Sequence, residues 1–307
     1  MRPDVSVVIP AFNAAGTLPA TLRSLARQDA ACWEAVVVDD GSHDGTPELV
    51  ERAMAADGRI RLLRNPRKGP SAARNHGAAE ARGGLIAFCD ADDLWQPQKL
   101  RRMADVFADT TVDAAYGRIG FFSHAPEDAR VFSTVPRGDL DIRTLTGENP
   151  VCTMSNLVVR SDRFHASGGF DETLVHNEDL EWLIRLVGSG ARVVGVDETL
   201  VWYRNSSFGL SADFAAMRRG RAAALDAARR FGVTPDARAE AIHLRYLARR
   251  ALRLDAGRGL ALRLASEGLA RSPRGFLSDP RRGGLTMLGA LVAPVLTRSM
   301  RRALFAR

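Results

Sequence analysis

Asp90, Asp92 and Asp93 stand together in the stretch LIAFCDADDLW (85–95), separated only by Ala91. Carboxylates this close repel one another, so their charge needs an offset. Mg2+ and Mn2+ take oxygen ligands and typically use one or two carboxylates plus substrate phosphates. A D-x-D on a loop can hold such an ion with one Asp and orient a ribose or sugar hydroxyl with another. The plainer alternative is a solvated turn, with Asp93 capping the next helix. The position of the trio after a buried apolar run favours the metal.

Three other groups could do chemistry. Asp39 and Asp40 end an apolar run in EAVVVDDGSHDGT. A carboxylate there can accept a base N–H or a ribose hydroxyl, but the following residues are also good turn formers, and spacing leaves both readings open. In RKGPSAARNHGAA (67–79), Lys68 and Arg74 flank a helix start, an arrangement that suits a diphosphate. Ser71 reads as an ordinary N-cap in the same segment. Glu178 and Asp179 open a helical pattern, where the helix dipole alone favours acids. A general base for an acceptor hydroxyl is the chemical alternative, and spacing by itself favours the dipole.

The elements that position these groups follow from hydrophobic pattern. VSVVIP (5–10), WEAVVVDD (33–40), 60–63 and LIAFC (85–89) read as strands, alternating with helices around Leu18–Leu25, Gly45–Ala56 and Ser71–Ala81. Such alternation predicts βαβ units, hence an α/β fold with a mostly parallel, Rossmann-like sheet and helices on both faces. Ligands in such sheets sit beyond the carboxyl ends of the strands. Pro10-Ala11-Phe12-Asn13, Asp39-Asp40 and Asp90–Asp93 all follow strand ends and therefore converge. Further on, 114–122, 155–160, 192–196 and 200–204 read as strands, and 178–190 as a helix. After about Ser211 the chain is helix formers punctuated by GVTPD, SPRG and DPRRGG.

Composition narrows the partners. The 307 residues carry a net charge of +7, but Ala215–Arg307 holds 20 Arg against 6 acids, a net +14 that leaves −7 for the rest. Lys68 and Lys99 are the only lysines, a bias that a GC-rich genome explains without function. Cys32, Cys89 and Cys152 are odd in number and widely spaced, which predicts reduced thiols and a cytoplasmic setting. No signal peptide and no spanning apolar run are expected. The basic tail lacks the interleaved aromatics of a nucleic-acid binder. G-x-G-x-x-G, Walker A, G-x-S-x-G and H-E-x-x-H are absent, which weakens dehydrogenase, ATPase, hydrolase and zincin readings.

Taken together, VSVVIPAFNAAGTLPATLRSLARQ, EAVVVDDGSHDGT, KGPSAARNHGAAEARGGLIAFCDADDLWQPQKL, GGFDETLVHNEDLEWLIRL and LVWYRNSSFGLS resemble, in order, the blocks of family 2 glycosyltransferases. The resemblance covers about 5–211. It implies a GT-A fold, a nucleotide-sugar donor with a UDP-sugar favoured, Mn2+ or Mg2+, and inversion at the anomeric carbon. Residue by residue, it puts Pro10, Phe12, Asn13, Asp39, Asp40, Lys68, Arg74 and Asp90 on the nucleotide and donor. It makes Asp92 and Asp93 metal candidates and Asp179 the catalytic base, which reverses the reading from spacing. Glu178, Trp182, Arg185 and Arg204 would line the acceptor and diphosphate side. One departure is Ser206, which stands where many relatives carry His and so leaves a third metal ligand open.

These readings predict a catalytic domain over 1–211, with a nucleotide half (1–109) and an acceptor half (110–211), and a basic helical region over 212–307. The acceptor would be a glycan or lipid-linked hydroxyl. GGLTMLGALVAPVLTRSMRRALFAR (283–307) joins apolar residues to arginines. It fits a helix on an anionic membrane surface at the inner face of the cell membrane, or one packed on the protein, with Pro294 kinking it either way. The competing functions are a nucleotide-binding scaffold without catalysis and a nucleotidyltransferase of related fold, whose Gly-rich signature near the first strand is missing.

Overall fold

The computed structural model describes residues 3–29, 32–205, 214–257 and 259–305. They fall into two compact units, one of 3–140, 150–205 and 214–224, the other of 141–149 and 225–305.

The first unit is built on a sheet of nine strands among the described residues: β1 (Val5–Ala11), β2 (Trp33–Asp39), β3 (Ile60–Arg64), β4 (Leu85–Phe88), β5 (Leu94–Trp95), β6 (Ala114–Phe122), β7 (Val131–Phe132), β8 (Leu157–Arg160) and β9 (Val193–Arg204). The order is β3-β2-β1-β4-β8-β6-β9-β5, with β7 on β6. The first four strands pair in parallel. Beyond them the sheet is mixed: β8 runs antiparallel to β4 and β6, while β9 runs parallel to β6. Helices α1 (Leu18–Ala26), α2 (Thr46–Ala56), α3 (Pro70–Ala79) and α4 (Lys99–Phe107) supply the crossovers.

Both sheet faces are covered, which is why β1 and β2 are continuous apolar runs rather than alternating ones. Val5, Val7 and Ile9 of β1 pack with Leu18, Leu22 and Leu25 of α1, Val50 of α2 and Leu100 and Met103 of α4. On the other face Val36 and Val38 meet Ala73 of α3. A Cβ on Gly77 of α3 would lie 2.4 Å from a Val8 methyl. That position needs Gly because the helix lies against the strand.

Strand order reverses at β1, whose neighbours are β2 on one side and β4 on the other. This is the topological switch point where α/β sheets bind ligands. Even-numbered β1 residues bond toward β4: Leu85 N donates to the Asp4 carbonyl and Cys89 N to the Val8 carbonyl. Pro10 is the next even position. It has no N–H to give, so the β1–β4 ladder stops there, while β1 and β2 stay paired through Ala11 and Asp39.

Two expectations change. DLWQP is not simply a helix cap: Leu94–Trp95 forms β5, antiparallel to Val201–Trp202 of β9. The two strands expected over 192–196 and 200–204 are one long strand with a register shift opposite Tyr116–Arg118, which hides its continuity in the sequence.

Helices α5 (Ile142–Gly147), α6 (Ser161–Ala166), α7 (Glu178–Gly188), α8 (Phe214–Arg230), α9 (Ala237–Arg253), α10 (Leu260–Arg271), α11 (Pro273–Phe276), α12 (Pro280–Val292) and α13 (Arg298–Phe305) complete the described chain. The punctuating stretches of the tail are helix starts. Asp236, Ser272 and Asp279 each accept a backbone N–H from the first turn of the helix that follows. Around Pro294 the chain forms a 3-10 turn over Ala293–Val295, so α12 ends there rather than kinking. Residues 141–149 belong with the helical unit: α5 packs against α9, and Arg245 pairs with Glu148 at 3.3 Å. No helix among the described residues is long and apolar enough to cross a membrane.

Candidate active site

The three strand-end loops are tied to one another by side chains. Asn13 takes a left-handed backbone (φ 48°), which Asn tolerates better than most residues. Its N–H donates to Ser42 Oγ at 2.9 Å, and its Oδ1 accepts from His43 N at 2.8 Å. Asp39 is buried and accepts from Gly41 N and Ser42 N, so it shapes the turn after β2. The Asp40 carboxylate accepts from Asn65 Nδ2 at 2.6 Å and from Gly69 N at 3.0 Å, which fixes the loop that leads into α3. Lys68 donates to the Asp40 carbonyl at 2.6 Å and lies 5.8 Å from the Phe12 ring. Phe12 is 56% exposed, an aromatic face beside a cation at the end of the central strand.

Arg74 joins two chemical groups that lie far apart in sequence. Its guanidinium is buried, pairing with Asp90 Oδ1 at 2.8 Å and Glu178 Oε1 at 3.0 Å. Burial works against its charge, but the two carboxylates overcome that and hold it firmly protonated. The end of β4 and the start of α7 are thereby clamped together. Asp179, next to Glu178, is pushed up to about 7 by burial and by the Glu178 charge. Asn177 before it is also left-handed (φ 56°) and donates to the Met217 carbonyl of α8 at 2.7 Å. Gly220 of α8 lies so near the His176 carbonyl that no side chain fits between them.

The carboxylate loop rests on buried polar groups that the sequence reading missed. Ser155 Oγ accepts from Asp90 N at 2.9 Å, and its carbonyl accepts from Trp95 Nε1 at 3.0 Å and Lys99 Nζ at 2.8 Å. Lys99 is fully buried, and burial pushes its ammonium down to about 7. Thr153 Oγ1 donates to Asp90 Oδ2 at 3.1 Å. Asn75 was missed as well: it clamps the GGF turn before α7, giving to the Phe170 carbonyl and receiving from Phe170 N, each at 2.9 Å. Its only local signal is its place beside Arg74; the partners of Ser155 lie some 60 residues away in sequence.

The residues expected to hold a divalent cation fit one. Burial and then Asp90 push the Asp92 carboxyl up to about 6. Burial, Asp92 and Asp90 push Asp93 well above the usual carboxylate range. Asp93 Oδ2 is buried without a hydrogen-bond partner. Crowded oxygen donors that cannot all ionise comfortably are suited to a hard divalent ion. Among the described residues no three His, Cys, Asp or Glu side chains already converge as a metal cage.

Several placements differ from expectation. Asp93 is not a helix cap: it is fully buried, and its Oδ1 accepts from Arg204 N at 3.0 Å. Ser71 is not the N-cap of α3, a position held by Gly69; its hydroxyl donates to the Leu174 carbonyl. Trp182 leaves the acceptor group. Its side chain is fully buried among Phe88, Phe164 and Phe170, with Nε1 on Ser167 Oγ at 2.8 Å. Arg185 is spent on structure too, pairing with Glu181 and donating to the Ser167 and Gly169 carbonyls. Arg204 does reach the carboxylate loop, with Nε on the Asp92 carbonyl at 3.0 Å. Pro10 stands at the end of the β1–β4 ladder. Ser206 lies outside the described residues.

Residues 6–166 match the family described as Glycosyl transferase family 2. The chain belongs to this family. Among similar proteins, the succinoglycan biosynthesis protein ExoO of Rhizobium meliloti (strain 1021) is 35% identical over 205 residues, 62% of this chain and 57% of that protein. This family member thus spans little more than half of ExoO's length. The UDP-Glc:alpha-D-GlcNAc-diphosphoundecaprenol beta-1,3-glucosyltransferase WfgD of Escherichia coli is 38% identical over 114 residues, 37% of this chain and 44% of that protein. S. aureus TarS 1–349 in complex with UDP-GlcNAc superposes with a TM-score of 0.60 at 18% identity, covering 99% of this chain and 90% of that one. That likeness shows a shared fold.

Proposed function

We propose that this family 2 glycosyltransferase moves a sugar, with inversion, from a nucleotide-sugar donor to a hydroxyl of a glycan or lipid-linked acceptor. A UDP-sugar is the favoured donor. The observation that carries the reading is the Arg74 clamp, which brings the Asp90 loop and the Glu178–Asp179 helix start to one place. WfgD, whose name specifies UDP-Glc and a diphosphoundecaprenol acceptor, and TarS, with its UDP-GlcNAc complex, support the choice of donor and acceptor class.

In this reading Phe12 and Lys68 offer a face for the base, with the Asp40 loop beside it. Asp90 contacts ribose or sugar, and Arg74 and Arg204 bring positive charge to the diphosphate side. Asp92 and Asp93 would hold Mn2+ or Mg2+, which when bound acts as a Lewis acid toward the departing nucleoside diphosphate. Asp179 takes the proton of the acceptor hydroxyl as that oxygen attacks the anomeric carbon from the face opposite the leaving group. No covalent nucleophile on the protein is required. The sheet-bearing unit, 3–140 and 150–205 with 214–224, acts as the catalytic domain in this account. A lipid-linked acceptor sets a peripheral location at the inner face of the cell membrane, with contact through 283–307.

The test is incubation with labelled UDP-sugars, Mn2+ and acceptor. Release of UDP with transfer supports the reading, and pyrophosphate release would point to a nucleotidyltransferase. Dialysis against EDTA should abolish turnover and added Mn2+ should restore it; rates untouched by EDTA would remove Asp92 and Asp93 from the metal role. The base also sets a pH dependence. A carboxyl raised to about 7 works only when deprotonated, so activity is present above that pH and lost below it. The rate should fall about tenfold per pH unit on the acid side. A profile flat down to about pH 5 would count against Asp179 as the base.

A further inference from the structure

Helix α12 buries its small residues and exposes its large ones. Gly283, Thr286, Gly289 and Ala290 are buried. A Cβ on Gly289 would stand 3.0 Å from Leu252 and 3.1 Å from Phe305, so the small face is seated against α9 and α13. Leu285, Leu288 and Leu291 are 61%, 59% and 55% exposed, and Val295, Met300 and Leu304 are 83%, 53% and 61% exposed. Three-residue spacing sets the leucines along one side of α12, and four-residue spacing does the same for Met300 and Leu304 on α13. A single exposed Leu is ordinary; five large apolar side chains along two consecutive helices, with Val295 in the turn between them, mark a surface that is covered in use.

The charge of this segment says what covers it. From Pro280 to Phe305 the chain has Arg281, Arg282, Arg298, Arg301 and Arg302 and no Asp or Glu. Three acids meet these arginines: Asp279, which caps α12, and Glu148 pair with Arg282 at 3.2 and 3.7 Å, and Asp255, only 9% exposed, is held by Arg301 at 2.6 Å and reached by Arg298 at 3.4 Å. The Arg298 side chain stays 73% exposed. A second copy of this face would set arginine against arginine. An anionic bilayer offers an apolar interior for the leucines and negative charge for the exposed Arg281 and Arg298.

We propose that α12 and α13 form an in-plane anchor on an anionic lipid surface, with Leu285, Leu288, Leu291, Val295, Met300 and Leu304 entering the headgroup–acyl boundary. This deepens the proposed function and rests on its lipid-linked acceptor for the choice of partner. The full chain is floated with vesicles of phosphatidylcholine alone and of phosphatidylcholine with phosphatidylglycerol, at low and high salt and without nucleotide sugar. The wild type should partition onto the anionic vesicles, and salt should weaken it. The double variant Leu288→Gln, Leu291→Gln should lose about tenfold or more of that partitioning. Its thermal melt should stay unchanged, because both side chains face solvent.

Equal flotation of wild type and variant would overturn the proposal. So would binding indifferent to anionic lipid. A wild-type dimer by light scattering that the variant dissolves would overturn it too, because the face would then join two copies. Flotation is read without donor, so its failure is separate from a failure of the transferase reading, which labelled UDP-sugar turnover reports.

Discussion

Asp179→Asn is expected to cut sugar transfer by roughly 10^2 to 10^4, the range for loss of a positioned general base. Donor affinity should hold within about twofold, because the substitution keeps the side chain's size and leaves the Arg74 clamp intact. The neighbouring acid makes a useful control. Glu178 is already bound to Arg74 at 3.0 Å, so its carboxylate is engaged in the clamp. Single-turnover kinetics at saturating donor, together with UDP titration, separate the two effects. Turnover within about tenfold of wild type would remove Asp179 from the base role.

Arg74→Met should be the most damaging change to the fold. The Arg74 side chain is 8% exposed and faces Asp90 and Glu178, with exposures of 26% and 12%. Removing the cation leaves two partly buried carboxylates facing each other. Breaking a buried pair by deleting one partner typically costs about 3 to 5 kcal/mol. Denaturant unfolding should show most of that loss, and donor binding should fall with it because the Asp90 carboxylate loses one of its anchors. Adding Glu178→Gln to the variant should recover part of the stability, since one of the stranded charges is then gone. A loss below about 1 kcal/mol for Arg74→Met alone would mean the pair is no more than a surface contact.

The sequence made the site's location legible but not its supports. VSVVIP, WEAVVVDD and LIAFC each announce a buried strand by β-branched and apolar content, and the residues after each therefore fall at one sheet edge. That inference needs only local pattern and the parallel rule. The roles of single side chains depend on what lies across the fold. Trp182 and Arg185 sit on the same helix as Asp179, yet both turn into structure, toward Ser167 and the aromatic cluster. Ser155 and Lys99 carry no local signature, because their work is to hold partners distant in sequence. Asp93 reads as a cap because a helix follows; β5 intervenes, with Trp95 buried and its Nε1 on the Ser155 carbonyl. Residues 141–149 join the helical unit for the same kind of reason, through Glu148 and the close approach of Gly147 to Ala239.

Pro10 gives the sheet a seam that cannot zip up. Pro10 has no N–H to give toward β4, so the rung that would follow Val8 and Cys89 is missing from the covalent chain. The gap at the strand ends is thus a property of bonding rather than of conformation. A single backbone position marks where the two strands part, whatever side chains stand at the edge.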